Sequence, residues 1–135
     1  MGKEVNIIIP LAGPDLLNDN INERYLKEIN KSYYLKYCIN KRFYNNNNYD
    51  LKYHFIILEC SIKKKIIKKI ESNFDIENLH TIENVQNGAA YTIKSFLDYN
   101  GKINNFFVDL GDVAFEGGEL NYDHKGAQGY YYLSN

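Results

Sequence analysis

The chain has 135 residues, of which 44% are hydrophobic and 24% are charged, and its formal net charge is −1. That length suits one domain with one core, and the composition is that of a globular protein rather than a disordered one. The near-neutral charge argues against a dedicated nucleic-acid binder, which needs an excess of Lys and Arg to displace counterions from phosphates.

The first half of the chain is predicted to run strand, loop, helix, strand. Val5 to Ile9 is a continuous apolar and mostly β-branched run, which is typical of a strand buried on both faces of a parallel sheet. A polar loop, Leu11 to Glu23, follows it. Apolar residues at helical spacing then predict a helix from Ser32 to Tyr44, with Ser32 as its N-cap. Leu51 to Glu59 is the second predicted strand.

The second half continues this alternation. Ser61 is predicted to cap a helix whose apolar residues recur every four positions from Ile62 to Phe74. The lysines from Lys63 to Lys69 fit a solvated face of this helix better than a polyanion site. The elements predicted after it are a strand at Leu79–Ile82, a helix at Ala89–Tyr99 with Gly101 as its C-cap glycine, a strand at Asn105–Leu110, and a last strand at Tyr130–Leu133.

Strands that alternate with helices predict an α/β fold: a three-layer, Rossmann-like and mostly parallel sheet with helices on both faces. Ligands of such sheets bind beyond the carboxyl ends of the strands. That rule selects the loop after Ile9, the segment from Gln86 to Ala90, and the segment from Asp109 to Asp112. We expect these three places to converge in space.

The compartment is predicted from what the sequence lacks. No apolar run approaches the roughly 20 residues that cross a bilayer. The start, from Met1 to Pro10, lacks the apolar region and cleavage site of a signal peptide. Cys38 and Cys60 have no metal-site spacing and are expected to be free thiols in a reducing environment. We therefore expect a cytoplasmic protein with no membrane partner.

The first candidate segment is Pro10-Leu11-Ala12-Gly13-Pro14-Asp15. Small residues directly after a buried strand let backbone N–H groups approach a phosphate closely, although an ordinary strand-to-loop turn would look the same. The segment is neither a G-x-G-x-x-G motif nor a P-loop lysine motif. The dinucleotide and kinase interpretations therefore fail on sequence.

Two charged segments could complete a phosphate site. Arg24 and Lys27 could neutralise a triphosphate, or they are surface charges on a short turn. Asp109 and Asp112 end an apolar strand, which would deliver their carboxylates to a cleft, and Mg²⁺ that also holds substrate phosphates requires such hard oxygen ligands. The alternative is a strand-terminating turn in which Asp112 caps local backbone.

In their order and spacing, these segments resemble the sugar-phosphate nucleotidyltransferases, a family with a GT-A-like Rossmann fold. Members have an I-P-x-A-G loop after the first strand, which Ile9 to Gly13 matches, and this loop in one branch reads A-G-P-D. A K-P-L-I-E-I-N-like segment follows, and here Arg24 to Ile39 is similar to it, with Arg and Tyr in place of the K-P pair. A G-A-A-x-T/S-like segment is matched by Gln86 to Thr92, and a strand ending in the metal-binding Asp is matched by Phe106 to Asp112.

The resemblance implies transfer of a nucleoside monophosphate from a nucleoside triphosphate to a sugar phosphate or similar acceptor, with release of pyrophosphate. It also implies Mg²⁺ as the cofactor and a role in the synthesis of capsule or other surface-glycan precursors. The implied roles are triphosphate binding by Leu11, Ala12 and Gly13, charge neutralisation by Arg24 and Lys27, base recognition by Gln86, Gly88 and Ala89, and Mg²⁺ binding by Asp112 with Asp109 as the alternative ligand.

Members of the family are longer than this chain, and their acceptor-binding half corresponds here at most to Glu116 to Asn135. The chain is therefore expected to be one nucleotidyltransferase-like domain, residues 1–135, shortened at its C-terminus. Two other interpretations stay open. A shortened domain could bind a nucleotide without catalysis as a regulatory or partner subunit, or the chain could pair with a copy of itself or with another chain.

Overall fold

The structure is a computed structural model, and it describes residues 2–17, 24–42, 44–45, 47–101, 103 and 105–111. Two 3-10 helices, Pro14–Leu17 and Arg24–Leu26, lie between the first two strands. In chain order, the other elements are β1 (Lys3–Leu11), β2 (Glu28–Ile29), β3 (Ser32–Tyr33), α1 (Tyr34–Asn40), β4 (Tyr49–Leu58), α2 (Lys63–Asn73), β5 (Ile76–Ile82), α3 (Ala89–Asn100) and β6 (Phe106–Val108).

Four of the strands form one sheet in the order β5-β4-β1-β6, and all three pairings in it are parallel. The chain steps outward from β1 to β4 and β5, and then returns across the sheet to place β6 on the other side of β1. β1 is the apolar centre, since Ile7, Ile8 and Ile9 are fully buried. The predicted α/β fold with a parallel, Rossmann-like sheet is confirmed at this level. The expected segment Tyr130 to Leu133 lies outside the described residues.

The helices cover both faces of the sheet, as predicted. The ring of Phe74, at the end of α2, lies 5.1 Å from that of Phe55, and the ring of Phe96 in α3 lies 5.8 Å from that of His54. Successive side chains of a strand point to opposite faces, so α2 and α3 lie on opposite sides of β4. None of the helices in the described ranges has the length and apolar character needed to span a bilayer.

The two predicted serine N-caps are wrong. Ser32 belongs to β3 and pairs with Ile29 in a short antiparallel hairpin, and α1 begins two residues later. α2 begins at Lys63, after an Ile62 N-cap that makes no side-chain cap hydrogen bond. The first helix also ends at Asn40, four residues before the predicted end at Tyr44, and the side chains of Arg42 and Tyr44 beyond it bond Asp109 after β6.

Candidate functional site

The carboxyl ends of the four parallel strands lie along one edge of the sheet, so the segments after β1, β5 and β6 share that edge. β1 and β6 are direct neighbours there, and the backbone N–H of Asp109 donates to the carbonyl of Ile8 at 3.0 Å. β5 is separated from β1 by β4, which places it about 10 Å away at the usual strand spacing. Two of the three predicted segments are therefore side by side, and the third lies further along the same edge.

The side-by-side pair sits where the strand order reverses, between β1 and β6. Open α/β sheets form a ligand crevice at this position, because the connections on its two sides lead in opposite directions. We call residues Leu11–Gly13 the first loop and residues Asp109–Gly111 the rim turn, and the two together the rim.

The side chains of Leu11 and Ala12 in the first loop are buried. Leu11 is fully buried and Ala12 is 7% exposed, so both side chains belong to the core. The carbonyl of Gly13 accepts a hydrogen bond from the backbone N–H of Leu16 at 3.2 Å, which starts the 3-10 helix Pro14–Leu17. These contacts anchor the chain directly after β1.

In the rim turn, four donors surround the Asp109 carboxylate. Arg42 donates from Nε to Oδ2 at 2.6 Å and from Nη2 to Oδ1 at 3.0 Å. The Tyr44 hydroxyl donates to Oδ2 at 2.6 Å, and the Gly111 backbone N–H donates to Oδ1 at 2.7 Å. A carboxylate has about four lone-pair sites, so each is matched by a donor. This arrangement leaves Asp109 no acceptor site for a metal ion. Of the two implied Mg²⁺ ligands, Asp112 lies outside the described residues.

The surroundings of Asp109 favour this hydrogen-bonded state. Burial would lower the pKa of Arg42, but the hydrogen bonds and the charge of Asp109 outweigh burial and raise it. Burial, reinforced by the Asp109 charge, raises the pKa of Tyr44 well above its ordinary value and that of Tyr53 to about 12. At neutral pH the guanidinium is therefore charged and both hydroxyls keep their protons, so Arg42 and Tyr44 remain donors to the carboxylate.

Gly111 brings the rim turn against β1 and α1. Its φ is +82°, a conformation that favours glycine, and an added Cβ would lie 2.7 Å from Cδ1 of Leu35 and 3.3 Å from Cγ2 of Ile9. The close approach leaves no space for a side chain unless Leu35 moves. The turn after β6 thus packs onto the first strand and the first helix.

The predicted base-reading residues follow β5. Gln86 donates from Nε2 to the carbonyl of Asn84 at 3.1 Å, Gly88 has a φ of +95° immediately before α3, and Ala89 is the exposed first residue of that helix. A groove of about 480 Å³ between β5 and α3 is lined by residues that include Gln86, His80, Ser95, Asp98 and Tyr99. Of the predicted site residues, Gln86 alone lines this groove, so the groove and the rim are separate features of the described chain.

The two predicted cationic residues lie in the segment that precedes β2, close to the helices α1 and α2. Arg24 begins the 3-10 helix Arg24–Leu26, which packs against both of these helices. Lys27 is exposed, and its ammonium lies 5.4 Å from the centre of the Tyr34 ring. The backbone carbonyl of Lys27 accepts a hydrogen bond from the N–H of Tyr34 at 2.8 Å, which fixes this segment to the start of α1.

Sequence reasoning missed Arg42 and Tyr44. Both lie just after α1, where a cation and a hydroxyl are unremarkable, and their common partner Asp109 is 67 and 65 residues further along the chain. No local pattern links such distant residues. The one signal in the sequence was a carboxylate at the end of a buried strand, because such a group needs hydrogen-bond donors. In a parallel sheet, those donors can come from residues of the helix layer.

Within the described ranges, no group of three His, Cys, Asp or Glu side chains could hold a metal ion. Comparison of the chain with protein-family models, with curated proteins and with solved structures finds no match.

Proposed function

We propose that the chain is a nucleotidyltransferase of the GT-A-like class, which transfers a nucleoside monophosphate from a nucleoside triphosphate to a sugar phosphate or a similar phosphorylated acceptor. The observation that carries the proposal is that the rim turn follows the strand β6 that pairs with β1, whose carboxyl end leads into the first loop; the backbone N–H of Asp109 bonds the carbonyl of Ile8 in β1. A small-residue loop next to an Asp-Leu-Gly-Asp strand end is the combination that the resemblance predicts for a triphosphate site.

In the proposed reaction, an oxygen of the acceptor phosphate attacks the α-phosphorus in line. The bond between the α-phosphorus and the bridging oxygen to the β-phosphate breaks, and pyrophosphate leaves. No covalent intermediate with the protein is required, so the chain contributes positioning and charge neutralisation. The backbone of Ala12 and Gly13 would bind the triphosphate, Arg24 and Lys27 would offset developing charge, and Gln86 with its neighbours Gly88 and Ala89 would contact the base.

The proposed Mg²⁺ does not fit Asp109, because the lone pairs of that carboxylate already face four donors. The remaining predicted ligand is Asp112, the residue after Gly111. A bound Mg²⁺ would neutralise phosphate charge.

The saturation of Asp109 favours a second candidate function, nucleotide binding without turnover. A chain that keeps the first loop and the base segment but lacks a complete metal site would bind a nucleotide and release no pyrophosphate. Such a protein would act as a regulatory or partner subunit. The two candidates share the rim and differ only in catalysis.

Titration of the chain with CTP, UTP, GTP and dTTP, with and without Mg²⁺, tests both functions. Binding together with pyrophosphate release in the presence of a sugar phosphate supports the transferase. Binding without release supports the non-catalytic subunit. If none of the four nucleotides binds, both proposals are wrong.

The Asp112→Asn variant tests the metal ligand. It should abolish Mg²⁺-dependent turnover, because an amide oxygen lacks the charge that Mg²⁺ requires. Asp50→Asn is the matched control, since Asp50 is an exposed carboxylate at the amino end of β4, on the opposite edge of the sheet. Unchanged turnover in the Asp112 variant would remove that residue from the site.

A further inference from the structure

We propose that Arg42 and Tyr44 are positioning residues, which hold the rim turn in one shape through the Asp109 carboxylate, and that nucleotide binding at the rim depends on that shape. The first half of the proposal concerns the described residues alone. The second half rests on the proposed function.

The orientation of the Asp109 carboxylate determines the path of the rim turn. Its Oδ1 accepts the backbone N–H of Gly111, two residues further on, at 2.7 Å. Such a side-chain-to-backbone bond closes a local turn, and its geometry follows the rotation of the carboxylate. Whatever fixes that rotation therefore also fixes the backbone of Gly111.

Arg42 and Tyr44 fix this rotation from outside the turn. The two guanidinium bonds from Nε and Nη2 reach different oxygens, and such a bidentate pair sets the plane of the carboxylate. The Tyr44 hydroxyl adds a third bond at 2.6 Å. Both residues are almost fully buried, with 3% of their surfaces exposed, so water does not compete strongly for the carboxylate.

Stability alone is a weak reason for this buried ion pair. The Arg42 side chain is 1% exposed and that of Asp109 is 10% exposed, and removal of such charges from water costs as much as their attraction returns. Apolar residues of similar volume would hold the same space at least as well. They could not orient the N–H of Gly111, which is the one task in this cluster that requires a carboxylate held by donors.

The test compares two buried tyrosines. Tyr44→Phe removes a hydroxyl that donates to Asp109, and Tyr33→Phe removes a hydroxyl that donates to the carbonyl of Tyr25 at the same distance, 2.6 Å. The two residues are 3% and 4% exposed, so the variants are matched in burial and in bond length, and they differ in the acceptor, which is a carboxylate for Tyr44 and a backbone carbonyl for Tyr33.

The first measurement is hydrogen exchange of the Gly111 amide by NMR. A hydrogen bond to a charged group is worth more than about 1.4 kcal/mol, so exchange at Gly111 should become roughly tenfold faster in Tyr44→Phe. In Tyr33→Phe it should match that of the unsubstituted chain. Equal exchange at Gly111 in both variants and in the unsubstituted chain would overturn the positioning role.

The second measurement is the Kd of the nucleotide that binds best in the presence of Mg²⁺. Tyr44→Phe should weaken binding by roughly the same factor of ten, and Tyr33→Phe should leave it unchanged. Unchanged affinity in Tyr44→Phe would overturn the functional half of the proposal while the proposed function stands. If the unsubstituted chain binds no nucleotide, the proposed function and this half fall together, and exchange at Gly111 still decides the positioning role.

Arg42→Lys gives an independent check, because it keeps the charge and loses the planar fork of the guanidinium. Faster exchange at Gly111 in this variant, with the circular dichroism of the folded chain retained, supports the proposal. Exchange as slow as in the unsubstituted chain contradicts it.

Discussion

Asn78 donates a hydrogen bond from Nδ2 to Nδ1 of His54 at 2.9 Å, where the two residues pair across β5 and β4. Because Nδ1 accepts, the neutral ring carries its hydrogen on Nε2, which lies 2.8 Å from Oδ1 of Asn6. Burial lowers the pKa of His54, and the charges of Glu77 and Glu4 oppose this effect without cancelling it. The polar chain across three strands thus requires an uncharged imidazole.

The free energy of unfolding should therefore decrease as the pH falls below 6.5, the ordinary pKa of histidine. The folded chain has the lower pKa, so the unfolded chain takes up the proton first. The contribution of His54 is complete above the unfolded pKa and is lost as the pH falls toward the folded pKa, with a limiting slope of about 1.4 kcal/mol per pH unit. Urea denaturation between about pH 5 and pH 8 measures this slope.

The matched variant is His54→Gln, which keeps a polar side chain and removes the titration. Its stability should depend less on pH in this window than that of the unsubstituted chain. The remaining slope should include His80, whose pKa burial also lowers. If His54→Gln retains the full slope, the imidazole does not need to be neutral in the folded chain.

The parts of the fold that depend on local pattern were predictable. The four-residue repeat predicted α2, and Ile66 and Ile70 are fully buried as expected. The helix α3 begins at Ala89 as predicted, and Gly101 ends it with a φ of +76°. In each case the deciding interactions are between residues close in sequence, so the sequence alone carries the information.

The extents of the strands were not predictable, because they depend on pairing. β1 was expected at Val5 to Ile9 and spans Lys3–Leu11, since β4 supplies partners along its whole length, from Tyr49 opposite Lys3 to Ile57 opposite Leu11. β6 ends at Val108, two residues earlier than expected, because Asp109 turns toward Arg42. The alternation of strands and helices predicted which edge of the sheet holds the candidate site. It did not predict the donors around Asp109.

Gly111→Ala should destabilise the chain more than Gly101→Ala. Both glycines have positive φ values, 82° and 76°, so an alanine at either position costs about 1–3 kcal/mol of backbone strain. At Gly101 nothing lies within 4 Å of the added Cβ, whereas at Gly111 the Cβ would lie 2.7 Å from the buried Leu35. Overpacking adds about 1–3 kcal/mol. Equal losses in urea denaturation would show that Leu35 yields without cost.

Phe96 should be the critical residue of α3. It is fully buried, and its ring contacts those of His54 and His80 at 5.8 Å each. Phe96→Ala should cost about 3–5 kcal/mol of unfolding free energy, because the cavity would open directly over the sheet. Tyr91→Ala, on the same helix but 59% exposed, is the control and should cost little. A loss below about 1 kcal/mol for Phe96→Ala would mean that α3 is not required to cover this face.

The cluster around Asp109 allows stability and positioning to be separated. Asp109→Ala leaves the Arg42 charge buried without its carboxylate and should cost about 3–5 kcal/mol. Lys94→Ala, which breaks the exposed pair with Asp98, should have no measurable effect. The triple variant Arg42→Met, Tyr44→Phe, Asp109→Leu removes every polar partner together and should recover most of the lost stability, since apolar groups of similar volume can replace a buried ion pair.

The triple variant should nevertheless fail to restore the rim. Without a carboxylate to accept it, the Gly111 amide should exchange faster than in the unsubstituted chain even where the melting temperature is regained, and nucleotide affinity should remain reduced. The reason is that packing determines the stability of this cluster, whereas the direction of one hydrogen bond determines the shape of the turn. If the triple variant recovers slow exchange at Gly111 together with stability, packing against Leu35 is sufficient to shape the turn, and Arg42 and Tyr44 position nothing.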